Sequence, residues 1–134
     1  MDSYAEKPSK LNSNLTQYKT SVKTWTSISS PVTMGSIVSA NAIVIEINSD
    51  LKMVRIYGNI TTNAAVNANT NYNLLQIVNA AYWPLHLIPV TFYNNNKVNN
   101  CGGSINTSGQ IRLHDITAIN GPVVLYIDAM YQYA

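Results

Sequence analysis

The sequence predicts an all-β protein, an antiparallel β-barrel or sandwich, from three observations. Apolar residues alternate with polar ones in several short runs, Gly, Asn and Pro clusters separate those runs, and no stretch carries the apolar stripe of a helix. At 134 residues the chain has room for one main domain with a sizeable core and a short appendage. No repeat of fixed period is visible, which argues against a propeller or solenoid.

Residues 1–34 contain four of the eight Lys and Arg residues and little periodicity, so they read as a linker or neck segment, with residues 35–134 as the domain proper. Within the linker, "VKTWTSIS" is rich in β-branched residues and holds Trp25, so a strand is expected there, against its own chain or a neighbouring one. From residue 38 the two-residue period takes over. In "NAIVIEINSDLKMVRIYGNI", Ile43, Ile45 and Ile47 alternate with Val44 and Glu46. After the turn "NSD", Val54, Ile56 and Ile60 alternate with Arg55, Tyr57 and Asn59. This is a hairpin with one buried face, and Gly58 marks a bulge or a close backbone approach. "TTNAAVNANTNYN" reads as loop, and "LLQI" (residues 74–77) as a short strand. "YWPLHLIPVTFY" carries Pro84 and Pro89 in an apolar run, which disfavours helix and fits an edge or bulged strand. After an Asn-rich turn at 94–100, "SINTSGQIRLH" gives a second hairpin with Gly109 at its turn. "PVVLYIDAMYQY" ends the chain with Val123, Leu125, Ile127, Ala129, Tyr131 and Tyr133 on one side.

Composition narrows the function. The chain is 10% charged with a formal net charge of +2, and its bases are dispersed, so the basic stripe of a nucleic-acid binder is missing. Eighteen Asn residues supply polarity in place of Lys and Glu, a surface that hydrogen-bonds without strong fields and suits neutral polyols, although Asn is also a good turn former. Cys101 is the single cysteine, which excludes a disulfide framework and a Cys-based zinc site; it reads as a small buried residue rather than a catalytic thiol. No apolar leader follows "MDSYAEKPSK" and no run reaches the roughly 18 apolar residues of a membrane span, so a soluble chain without membrane insertion is expected. The sequons at Asn14, Asn59 and Asn106 read as accidents of an Asn- and Thr-rich composition.

Two groups of residues could carry recognition. Strand alternation in the second hairpin points Ile111 and Leu113 inward and Arg112 and His114 outward, with Asp115 ending the strand beside them. A fork of donors, an imidazole and an acceptor pair can bracket a sugar's hydroxyls; the plainer reading is a surface ion pair beside a solvated histidine. In the Pro-containing run, Trp83, Tyr82 and Tyr93 offer flat apolar faces with polar edges for stacking on a pyranose, and His86 could add a hydrogen bond. The plainer reading closes the core with Trp83 and makes His86 a satisfied structural histidine. Enzyme motifs are absent: there is no Gly-x-Ser-x-Gly, His-Glu-x-x-His or phosphate-binding Gly loop, and no cofactor is expected. The one carboxylate pair left for glycoside hydrolysis is Asp115 with Asp128.

"AIVIEINSDLKMVRIYGNI", "YWPLHLIPV" and "SINTSGQIRLH", in that order, resemble the head domain of receptor-binding proteins from lactococcal siphophage tails, over roughly residues 36–120. The resemblance implies a homotrimer of β-barrel heads on the virion, at the tail tip or baseplate. A neck would join it to other baseplate proteins, and it would bind a neutral or phosphorylated host cell-surface polysaccharide without enzymatic action. It also implies that Tyr126, Tyr131 and Tyr133 of the last strand contribute to a subunit interface. Matched along the hairpin, the positions where a characterised relative places a His and an Asp fall on Gly102 and Ser104, and its Trp falls on His114. A C-terminal Arg of that relative has no counterpart after Gly121. The expected ligand-binding set is therefore Arg112, His114, Asp115, Trp83, Tyr93 and His86. The alternatives are a structural tail or baseplate protein without its own receptor site, and a small depolymerase using Asp115 and Asp128.

Overall fold

Each alternating run of the sequence folds as a strand, because only a pleated strand carries every second side chain to one face. A computed structural model describes residues 24–94 and 101–134. In chain order the strands are β1 (Thr26–Ser27), β2 (Val32–Met34), β3 (Val38–Asn48), β4 (Met53–Thr62), β5 (Tyr72–Ile77), β6 (Ile88–Thr91), β7 (Tyr93–Asn94), β8 (Cys101–Ile105), β9 (Gln110–Ile116) and β10 (Val124–Gln132). They form two five-stranded antiparallel sheets packed as a sandwich. The neighbour order is β1-β3-β4-β10-β7 in the first sheet and β2-β5-β9-β8-β6 in the second.

Both sides of the sandwich are laced by the chain itself. β1 lies on the edge of the first sheet and β2 on the edge of the second, and residues 28–31 cross between them. On the far side β6 and β7 belong to different sheets and only the buried Phe92 separates them. The expected barrel or sandwich is thus a sandwich whose lateral openings are closed covalently. The strand expected near Trp25 is β1, and it pairs with β3 of its own chain. β1 and β2 fall on the linker side of the expected boundary between residues 34 and 35, yet they are edge strands of the sandwich. The rest of the expected neck, residues 1–23, and most of the Asn-rich turn, residues 95–100, lie outside the described residues.

The core is built by the inward residues of the predicted hairpins. Ile45, Ile56, Ile60, Ile111, Leu113 and Leu125 are all completely buried. Each contributes about 1.5–3 kcal/mol relative to exposure, and a one-residue slip of any strand would turn that set toward water, so the register is fixed. The β3–β4 ladder runs unbroken past Gly58, with its only irregularity between Val38 and Ala40. Gly58 therefore marks the close approach and not a bulge: its φ is 128°, and a Cβ there would overlap the carbonyl oxygen of Ala42. β5 does carry a bulge between Asn73 and Leu75, which turns both Leu74 and Leu75 inward, something strict alternation does not predict. Pro89 sits in β6, at the edge of its sheet, where its missing N–H costs no ladder bond.

The last strand follows its predicted phase to the end. Tyr131 and Tyr133 are 3% and 7% exposed, so they belong to the core of their own chain, and of the three expected interface tyrosines only Tyr126 faces out. The Tyr131 hydroxyl donates to the carbonyl of Tyr82 at 2.8 Å. Burial pushes its ionisation well above the ordinary tyrosine range near 10. An acid whose folded pKa exceeds its unfolded one holds its proton more tightly when folded. Its contribution is therefore intact below about pH 10 and is lost as pH rises from the unfolded value toward the folded one. Melting temperature should fall steeply above pH 10, and Tyr131→Phe should flatten that fall, as thermal melts between pH 8 and 12 would show.

Candidate functional site

β8 and β9 place the predicted polar residues on the outer face of the second sheet. A tight turn joins these strands: Gly109 has φ 73°, and the Asn106 side-chain oxygen accepts from the backbone N–H groups of Ser108 (3.1 Å) and Gln110 (3.0 Å). The Asn106 amide of the sequon is thus already used in the turn. Ladder pairing aligns Asn73, Arg112, Ser104 and Pro89 in one row across β5, β9, β8 and β6. A bulge between Gly102 and Gly103 makes His114 the extra residue of β9, and its Nε2 shares a hydrogen bond of 3.1 Å with Ser104 Oγ. Ser104 is 3% exposed, so it is a fixed anchor that holds the imidazole edge while the ring stays half-buried.

Asp115 lies over Gly102, where a Cβ would come within 3.2 Å of the Asp115 Cβ. It makes no ion pair with Arg112 or His114; the one ion pair among the described residues joins Arg55 to Asp128 at 3.4 Å. Arg112 is half-buried, with its Nε buried and unpartnered among the described residues. A buried donor without an acceptor costs about 1–3 kcal/mol, so the fold carries a polar penalty at this position. Next to it, Thr33, Met34, Asn73, Gln76 and Gln110 line a recess of about 100 Å³. Asn73, Gln76 and Gln110 were not singled out in the sequence, and Ser104 only as a position matching a relative's site residue. Ser104 could have been found from its position opposite Arg112 in the hairpin, whereas Asn73 needs the β5–β9 pairing.

The aromatic candidates go elsewhere. The Trp83 ring packs directly on Gly109 at the tip of the hairpin, and its Nε1 donates to the carbonyl of Ile77 at 2.9 Å. It is a half-buried brace for the turn, with its polar edge already satisfied. Tyr82, the last residue of the 3₁₀ turn Ala80–Tyr82, packs edge-on against Tyr133 with centroids 5.2 Å apart. His86 is exposed in the bend before β6 and makes no side-chain hydrogen bond among the described residues, so the satisfied-histidine reading does not describe it. Tyr93 lies in the first sheet, paired with Tyr126 of β10. The structure therefore brings together Arg112, His114 and Asp115, and leaves Trp83, His86 and Tyr93 off that patch.

For other chemistry the arrangement offers little purchase. Asp115 and Asp128 sit on opposite outer faces of the sandwich with the core between them, and Asp128 is engaged by Arg55. A glycosidase pair needs carboxyl groups roughly 5–9.5 Å apart on one cleft, which these two residues do not provide. Cys101 is buried, and burial pushes its thiol up in pKa despite a hydrogen bond from the Asn94 amide (3.2 Å), so it is mostly protonated at neutral pH. Among the described residues no three His, Cys, Asp or Glu side chains cluster as a metal site, and no helix is long and apolar enough to cross a membrane. No protein-family model matches the chain, and no curated protein matches its sequence.

Proposed function

We propose that the chain is the receptor-binding head of a phage tail tip or baseplate, a homotrimer in the virion that attaches to a host cell-wall saccharide without cleaving it. The observation that carries this reading is the outer face of β5, β9 and β8. Half-buried Arg112 and His114, anchored Ser104 and the exposed amide of Asn73 lie there on neighbouring strands beside a small recess. The Gln76 amide hydrogens are taken by the Ile77 and Ser108 carbonyls and the Gln110 side-chain oxygen by Asn106, leaving the Gln76 oxygen and the Gln110 amide hydrogens. Such a surface matches vicinal hydroxyls, and a strand scaffold keeps the ordering cost of binding low. The resemblance to lactococcal phage heads supports the scaffold more than the site. The matched positions Gly102, Ser104 and His114 fall together on this patch, across the β8–β9 ladder, but carry other residues than the relative's His, Asp and Trp, so the saccharide differs or other residues hold it. Individual sites of this kind bind weakly, and trimerisation would multiply them into avidity.

Arg112→Ala and His114→Ala test the site. Both residues are outside the core, so both variants should fold and assemble as the parent does. Each should weaken adsorption to lactococcal cells by roughly tenfold or more, the loss expected when a hydrogen-bonding group worth about 1.5–3 kcal/mol is removed. Parent-like adsorption by both, with parent-like assembly in sedimentation, would reject the patch.

A further inference from the structure

We infer that the outer face of the first sheet carries a second saccharide-binding platform, centred on Tyr93 and Tyr126. These rings are 64% and 42% exposed, with centroids 6.0 Å apart and planes tilted by 51°, so together they form a shallow open cradle. Ladder pairing continues the row from Tyr126 to Asn59 of β4 and then to Ala42 of β3. Asn59 is half-buried, and its side-chain amide makes no hydrogen bond among the described residues, nor do the hydroxyls of Tyr93 and Tyr126. One step along β10, Asp128 is held by Arg55 only through contacts of 3.4 and 3.5 Å and is exposed, so it keeps acceptor capacity.

The chemistry selects the ligand. Two aromatic faces beside an unused amide and an open carboxylate match a pyranose, whose C–H face stacks on an aromatic ring while its hydroxyls bond at the edges. The small side chain of Ala42 leaves the far end of the row open for a further ring. A nucleic acid is disfavoured because Asp128 and Glu46 lie beside the lone base Arg55. A protein partner is disfavoured because the same face is crossed by the Glu46, Arg55 and Asp128 charges, which interface cores exclude. The inference takes only its ligand class from the proposed function and uses none of the Arg112 patch.

The test is a titration of the full chain with the methyl glycosides of glucose, N-acetylglucosamine and rhamnose, followed by NMR at the Tyr93 and Tyr126 rings and the Asn59 side-chain amide. Saturable shifts with at least one glycoside are expected. They should weaken about tenfold or more in Tyr126→Ala and Asn59→Ala but persist in Tyr126→Phe, which keeps the ring, and in Arg112→Ala. No saturable shift with any of the three, shifts unchanged in a Tyr93→Ala/Tyr126→Ala double variant, or the same shifts produced by raising protein concentration without sugar would each overturn the platform. Asn59→Ala keeps the test decisive if Tyr126→Ala folds poorly. Cell adsorption that depends on Arg112 but not on Tyr126 would overturn this platform while leaving the proposed function standing.

Discussion

Gly58→Val is expected to destabilise the fold by about 2–6 kcal/mol. Gly58 lies in the middle of β4, between β3 and β10, and its φ of 128° is a conformation that L side chains rarely adopt. A Cβ there would overlap the Ala42 carbonyl oxygen and come within 3.1 Å of the Ile43 Cα, and neither backbone atom can withdraw without breaking the ladder. Backbone strain of about 1–3 kcal/mol and overpacking of a further 1–3 kcal/mol together remove about 2–6 kcal/mol, a large share of a total stability of roughly 5–15 kcal/mol. Amide NMR dispersion and urea unfolding would read this directly. A valine variant with a parent-like midpoint would mean that the close approach to Ala42 is not a feature of the folded chain.

The second large effect lies two residues away and depends on which face a residue occupies. Ile56 is completely buried between Ile45 of β3 and Ala129 of β10, so Ile56→Ala should cost about 2–5 kcal/mol from lost burial and the cavity left behind. Its neighbour Arg55 points outward, lies 4.5 Å over the Tyr57 ring and holds Asp128 only at the surface. Arg55→Ala should cost far less, because its exposed ion pair is screened by solvent. Urea midpoints of the two variants, at unchanged slope, would separate the two costs. Equal losses would show that the alternation does not assign the faces as described.

That alternation is also why so much of the fold was legible in the sequence. β4 and β10 keep a two-residue period throughout, and β3 and β9 over most of their length, which is a local signal. What joins them is not local. The order of strands within each sheet depends on pairing between distant segments, and the β5 bulge at Leu74 comes from that pairing. The site shows the same division. The outward direction of Arg112 and His114 followed from their own strand. The expected engagement of Asp115 did not follow, because the bulge at His114 sets Asp115 over Gly102. The carboxylate that does meet an arginine is Asp128, 73 residues away from Arg55. Trp83 and Tyr93 were chosen for their chemistry, but the fold uses one to brace the Gly109 turn and sends the other to the opposite sheet. Residue type alone carries no information about either destination.

The proposed Arg112 site and the proposed second platform together have a consequence for attachment. If each contributes a weak contact, removing one should lower avidity by a factor and not abolish it, and three heads acting together would make the loss steeper. The most direct measurement is adsorption of the purified chain to lactococcal cells before and after their surface polysaccharide is chemically stripped. Binding to intact cells that disappears on stripping is the expected result. Folded, trimeric protein that fails to bind intact cells, or that binds stripped cells equally well, would contradict saccharide-dependent attachment.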